Sequence, residues 1–291
     1  MGRKTLQGIN SIFIDRNSLK TKTYQRSAAK IVGPAPAFCD HICMYVVKLK
    51  NVSIQLDDFC LKNVNFELDP GESLVLIGPS GQGKTVLLKI IAGLLQPNTG
   101  QVIVAGLDIY KATPAEREMM LYKVGMLFQK NALFDSLTCY ENIAFPLREV
   151  KKVDEVTIRQ KVEKFLDAVG LLHAIHLFPH EISGGMQKRL GIARALALDP
   201  EIVLYDDPTA GLDPITSRKI AAMILELQKK NNSANIIVTN EMSRAYQLAT
   251  YIGMVIEGEL VLTGSPAETR QNTDPRVKQF IHGQLSGPLQ Q

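Results

Sequence analysis

Residues 78–85 read GPSGQGKT, and they lie between an apolar strand pattern at 73–78 (SLVLIG) and a helix pattern at 84–92 that closes at Gly93. The spacing is G-x-x-x-x-G-K-[ST], in the strand–loop–helix setting that gives such a match its meaning. Glycines let the backbone wrap closely around an anion, and amides at a helix N-terminus point at it with the helix dipole behind them. Gly78, Pro79, Ser80, Gly81, Gln82, Gly83, Lys84 and Thr85 therefore form a phosphate-binding loop. Lys84 would reach the β- and γ-phosphates of a nucleoside triphosphate, and Thr85 would offer its hydroxyl to Mg²⁺.

Strand and helix patterns alternate after residue 45. Segments 45–52 and 64–68 read as strands joined through QLDDF, a hairpin-like start. Residues 101–109 and 123–128 read as further strands, the second after a short helix. Residues 154–169 carry Val156, Val162, Phe165, Leu166 and Val169 at helical spacing and end at Gly170. A helix over 185–198 precedes strand 202–206, helix 215–230, strand 235–239, helix 242–250 and strands near 251–256 and 259–263. This order predicts a largely parallel sheet with helices on both faces, and a helical subdomain inserted at about 131–200.

Charge and apolar runs narrow the function classes. The chain of 291 residues has a net charge of +4, yet residues 1–43 hold seven Lys or Arg against Asp15 and Asp40. The remainder is left near −1, so the body offers nucleic acid no basic surface. No apolar run approaches the ~20 residues of a membrane span, so a membrane role has to come through a partner. Residues 1–43 read as an unstructured, transit-like arm without a secretory h-region, or as sequence upstream of a start at Met44. Cys39, Cys43, Cys60 and Cys139 suggest no disulfide framework, and CDHIC at 39–43 lacks a fourth metal ligand.

A second apolar strand, IVLYD, ends on paired carboxylates, Asp206 and Asp207. Beside a phosphate loop, the first fits the aspartate that holds the Mg²⁺ shell, and a metal makes two like charges tolerable there. Between loop and strand lies ISGGMQKR at 182–189, which resembles the ABC-family signature, and TAGLDP after Asp207 resembles that family's D-loop. Gln129 in MLFQKNALF falls where the family has its Q-loop glutamine. On these motifs, in the family's order over 45–265, the chain is identified as a member of the ABC ATPases.

The resemblance implies an α/β fold: a P-loop NTPase domain of ABC type over 44–268, with a RecA-like sheet core, an N-terminal antiparallel β subdomain and the helical insertion. It implies that ATP and Mg²⁺ bind, with Thr85, Gln129 and Asp206 toward the metal. The partner's Ser183, Gly184 and Gly185 would close each site, and Asp213 would lie at the dimer interface. The aromatic that stacks on adenine in the family has no clear counterpart, Phe59 being nearest.

Two positions depart from that pattern. Where the family has a catalytic glutamate stands Asp207, shorter by one methylene or about 1.5 Å. Where it has a switch histidine stands Asn240, followed by Glu241. Asn240 can donate one hydrogen bond to a γ-phosphate but carries no imidazole charge. Lys84, Asp207 and Asn240 are thus the catalytic candidates. The chain is expected to be either a slow ATPase or an ATP-binding, hydrolysis-deficient subunit or scaffold.

The segment ALFDSLTCYENIAFPLRE, the form SGGMQKR and the tail TDPRVKQFIHGQLSGP resemble ATPase subunits of Mla/Mce-type lipid transporters. That resemblance implies a homodimer beneath an integral-membrane permease, working with an MCE-domain substrate-binding protein at the cytoplasmic face of the inner membrane. The tail, 269–291, would contact the partner ATPase, or else dock on its own domain through Val277, Phe280 and Ile281. Translation or chromosome-maintenance ABC proteins usually have two such domains or a long coiled coil, and this chain has neither.

Overall fold

The computed structural model describes residues 45–56 and 59–289. The readings that concern 1–43, including Cys39 and Cys43, lie outside the described residues. The described chain opens on the antiparallel pair β1 (Val47–Leu56) and β2 (Phe59–Leu68), which runs further toward the turn than the hairpin expected from sequence, while β1 starts two residues later. β3 (Ser73–Ile77) leads through the glycine loop into α1 (Lys84–Ile91), then β4 (Thr99–Val104), β5 (Leu107–Asp108), α2 (Pro114–Leu121) and β6 (Val124–Leu127). A helical stretch follows: α3 (Cys139–Pro146), a π-helical turn at 147–151, α4 (Glu155–Ala168) and α5 (Gly184–Leu196). The chain then alternates through β7 (Ile202–Asp206), α6 (Pro214–Asn231), β8 (Ala234–Val238) and α7 (Met242–Leu248). It ends in the hairpin β9 (Tyr251–Ile256) and β10 (Glu259–Gly264), then α8 (Pro266–Arg270) and α9 (Pro275–His282).

The strands make two sheets, a four-stranded one ordered β2-β1-β4-β5 and a six-stranded one ordered β10-β9-β3-β8-β7-β6. In the larger sheet β9, β3, β8, β7 and β6 are parallel and β10 is antiparallel at the edge. Side-chain alternation splits the apolar interior. Val75, Ile77, Val203, Tyr205 and Ile237 face one core with α3 to α7, while Leu74, Leu76, Ile202, Leu204, Ile236 and Val238 face another with α1 and the small sheet. Each fully buried aliphatic side chain contributes roughly 1.5–3 kcal/mol, so both faces of the strands are committed to packing and only their ends are open for chemistry.

Three sequence expectations change. Residues 101–109 are not one strand: Ala105 and Gly106 both take positive φ, +49° and +81°, and fold β5 back on β4. A two-residue turn of this hand suits a twisted hairpin, and its glycine meets half of the demand. Val156 is 68% exposed, because it sits in the first turn of α4 while Ile158, Val162, Phe165 and Leu166 face inward. Helix α7 is shorter than 242–250 and stops at Leu248. In the tail, α9 lays a fully buried Val277 into the domain's own core, with Phe280 and Ile281 packed beside it.

Candidate nucleotide site

The phosphate loop leaves the end of β3 at the middle of the large sheet. Gly78 has φ +134°, and a Cβ there would lie 2.2 Å from the Val255 carbonyl oxygen, so only glycine fits between β3 and β9. Gly81 also has positive φ, but a Cβ there would meet nothing within 4 Å. Phe59 rests on Gly83 so closely that a Cβ would fall 2.1 Å from its ring. The ring therefore supports the loop at the N-cap of α1. The Gln82 side-chain oxygen accepts the Glu257 amide at 2.8 Å, which fastens the loop to the β9–β10 turn.

Lys84 is buried, and its ammonium donates to the carbonyls of Gly78 and Pro79 at 2.6 and 2.7 Å. Burial pulls its pKa down to about 8, against the opposing pull of Asp207 and Asp206. A cation held by two carbonyls with its charge partly uncompensated is poised to exchange them for phosphate oxygens.

Thr85, at the start of α1, shares its hydroxyl proton between both carboxylate oxygens of Asp206, each at 3.1 Å. Asp206 is buried, which raises its pKa, and the Thr85 hydrogen bond opposes that rise. Asp207 follows directly. Burial raises its pKa too, with Asp206 and Glu241 adding repulsion and Lys188 and Lys84 opposing. Its φ is +47°, a left-handed setting that Asp tolerates better than most side chains. Its amide donates to the Val238 carbonyl at 3.0 Å, so the residue is pinned across to β8. These hard oxygens fit Mg²⁺, which takes one or two protein groups and fills its other positions with water and phosphate oxygens. Among the described residues no cluster of three His, Cys, Asp or Glu offers an all-protein metal cage.

Gln129 is exposed in the turn after β6, and its main-chain carbonyl accepts the Lys188 ammonium at 2.5 Å. Asn240 lies exposed just past β8, and Glu241 is engaged by Ser243 and Arg244 at 2.6 and 3.1 Å. The signature residues lie elsewhere. Ser183 caps α5 through the Met186 amide at 3.3 Å, and Gly184 is exposed with nothing near its missing side chain. Ser183, Gly185, Leu212 and Asp213 line an open cleft of about 640 Å³ that includes no phosphate-loop residue. Asp213 caps α6 by accepting the Ile215 and Thr216 amides, both at 3.0 Å. The chain thus brings Lys84, Thr85, Asp206 and Asp207 to one place and sets Ser183 to Gly185 with Asp213 in another.

Sequence reading missed Lys188 and the Gln82–Glu257 link. Lys188 had one usable signal: a charged residue one turn after Gly184, in the helical row that continues to the buried Gly191 and Ile192. The Glu257 contact spans 175 residues and left no local trace.

The family profile described as ABC transporter matches residues 61–210. An intermembrane phospholipid transport system ATP-binding protein, MlaF, of Haemophilus influenzae is 36% identical over 245 residues, covering 84% of this chain and 93% of that protein. A probable ribonucleotide transport ATP-binding protein, mkl, of Mycobacterium leprae is 40% identical over 228 residues, covering 78% of this chain and 66% of that one. Among solved structures, a dimeric ATP-binding cassette in a post-hydrolysis state bound to ADP and Pi is 32% identical with a TM-score of 0.67, covering 74% of this chain and 96% of that one. The profile match runs through the phosphate loop and both strand-end aspartates, and the chain belongs to the ABC transporter family as an ATP-binding, ATP-hydrolysing subunit.

Proposed function

We propose that the chain is the motor of a transporter for phospholipids or related lipids, working as a homodimer beneath an integral-membrane permease with an MCE-domain substrate-binding protein. It would sit peripherally at the cytoplasmic face of the inner membrane. No helix of the described residues is long and apolar enough to cross a membrane, which leaves that task to a partner. The phospholipid reading rests on the MlaF relative; the mkl relative carries a different cargo in its name. The single observation that carries the dimer is the separation of half-sites: the capped, exposed Ser183–Gly184 corner lies apart from the loop it would complete. A second chain turned to face the first supplies each loop with the other's α5 N-terminus, whose amides and hydroxyl suit a γ-phosphate.

Within each composite site Lys84 gives up its loop carbonyls and holds the β- and γ-phosphates. Thr85, Asp206 and Gln129 would hold Mg²⁺, which neutralises charge on the phosphates. Asp207 orients the attacking water and takes up its proton, and Asn240 donates a hydrogen bond to the γ-phosphate. A carboxylate set back by about 1 Å can cost on the order of 100-fold in rate, so the motor is slow. A hydrolysis-deficient subunit is the second reading, favoured by the same two residues, Asp207 and Asn240.

The test is purification of the chain with its membrane partners, followed by reconstitution in vesicles containing a fluorescent phospholipid. ATP-dependent movement of the lipid is the expected result. A complex that moves ribonucleotides and ignores lipid removes the cargo reading. A chain that never recovers a permease removes the transport reading altogether.

A further inference from the structure

We propose that Lys188 is a positioning residue for the hydrolysis step: its buried ammonium ties the Gln129 main chain to α5 and keeps a fixed cation in the field of the Asp206–Asp207 pair. The inference rests on ATP hydrolysis by the chain and is independent of the lipid reading.

Lys188 is 5% exposed although it lies only five residues from the exposed Ser183. An ammonium in such a place is costly unless it is hydrogen-bonded and its charge is balanced. The 2.5 Å bond to the Gln129 carbonyl provides the first, joining the turn after β6 to a helix 59 residues further along the chain. The two strand-end carboxylates provide the second. Asp207 exerts the larger attraction on Lys188 and Asp206 the next, and Lys188 in turn is the strongest cationic influence on Asp207.

Lys84 also lies near the pair, but it is bound to the loop carbonyls and is the group the phosphates claim. Lys188 has no such second duty. It opposes the repulsion that Asp206 and Glu241 exert on Asp207, so the short carboxylate is held in place while the nucleotide turns over. Because Gln129 is the residue proposed to meet the metal and α5 carries the Ser183 corner, one side chain links the chain's own site to the helix proposed to serve the opposite site. A shift of α5 on dimer closure therefore moves the Gln129 main chain and the charge that steadies Asp207 together.

The experiment compares wild type, Lys188→Met and Lys188→Arg, each with Asp207 intact and with Asp207→Asn, in the full chain assembled with its permease. Equilibrium binding of a fluorescent ATP analogue, kcat and Tm are read for each. With Asp207 intact, Lys188→Met should leave nucleotide Kd within about 3-fold and lower kcat by roughly 10- to 100-fold, the scale of an ångström-level misplacement. Lys188→Arg should recover most of that loss, because it restores a buried cation with hydrogen-bond donors. In the Asp207→Asn background Lys188→Met should change residual turnover by less than about 2-fold, since partners in one unit are non-additive. The proposal is overturned if Lys188→Met keeps kcat within 2-fold of wild type. It is overturned equally if the same fold loss recurs without the Asp207 carboxylate, or if nucleotide affinity and Tm fall in step with kcat. Should wild-type turnover be too low to read, the same comparisons are made in the Asp207→Glu, Asn240→His background, where the failure of hydrolysis itself is seen separately from the Lys188 effect.

Discussion

Thr85 and Asp206 stand 121 residues apart in the chain and meet at 3.1 Å, the hydroxyl of one shared by both oxygens of the other. The first opens α1 and the second ends β7, so the pair exists only when the parallel sheet has assembled. Thr85→Val keeps the shape and removes the donor. The Asp206 carboxylate is left without its hydroxyl partner, which costs roughly 1–3 kcal/mol. ATPase activity titrated against Mg²⁺ should show an apparent metal requirement raised at least about 10-fold, the order of a lost ligand-shell contact. An unchanged Mg²⁺ curve would remove Thr85 from the metal shell.

Two glycines of the loop should answer to alanine differently. Gly78→Ala forces a methyl against the Val255 carbonyl at 2.2 Å, and the loop or β9 has to shift, at a cost of roughly 2 kcal/mol or more. Gly81→Ala meets nothing within 4 Å in the nucleotide-free chain and should lose only about 1 kcal/mol for its left-handed backbone. Its methyl would instead stand in the space proposed for phosphate. Chemical denaturation beside ATP binding tells them apart: Gly78→Ala loses both, whereas Gly81→Ala keeps its fold and loses affinity. Equal stability losses would contradict the geometry.

Lys84 links stability to pH. Its pKa is about 8 in the folded chain and 10.5 when unperturbed. A folded-state value below the unfolded one means that the unfolded chain holds the extra proton between those limits, so stability rises with pH from about 8 to 10.5. At 1.36 kcal/mol per unit the gain from this residue is at most about 3 kcal/mol. Urea midpoints at pH 7.5 and 9.5 should show a rise in wild type that is absent in Lys84→Met. ATP affinity should move the other way over the same window, as the ammonium is lost.

Asp207 illustrates a conflict between function and stability. Its carboxylate is raised in pKa by burial, with Asp206 beside it, so ionising it at neutral pH opposes folding. Asp207→Asn should raise the Tm of the nucleotide-free chain, by roughly 2–4 °C for each kcal/mol gained in a domain of this size, while cutting turnover to a small residual rate. A fall in Tm would mean that attraction to Lys188 and Lys84 outweighs the burial.

The tail gives a fifth comparison. Val277 is fully buried in its own domain's core, so Val277→Asp should destabilise a dilute single chain by at least about 2 kcal/mol. If α9 instead gains its stability from a partner ATPase, the loss will depend on protein concentration.

Residues 73–92 carried the β3–loop–α1 unit plainly, because periodicity, glycine spacing and a C-terminal glycine all agree over twenty positions. The paired aspartates were legible for the same reason, an apolar strand that ends on charge. The β4–β5 turn was not, since Ala105 is an unusual residue for a left-handed turn position and apolar residues on both sides hide the break. Phe59 was weighed as an adenine-stacking ring, whereas its contact with Gly83 is fixed by a β2–α1 packing that no local pattern reveals. Lys188 stayed hidden because its meaning comes from Gln129 and Asp207, on other elements.

The measurement that bears most directly on the account is steady-state ATP hydrolysis by the purified permease complex, wild type beside Asp207→Glu with Asn240→His. The account predicts slow but measurable turnover in wild type and an increase of at least about 10-fold in the double variant, as the longer carboxylate recovers the ångström that Asp207 lacks. A wild type that binds ATP and hydrolyses none, in a complex with no second ATPase, would contradict it.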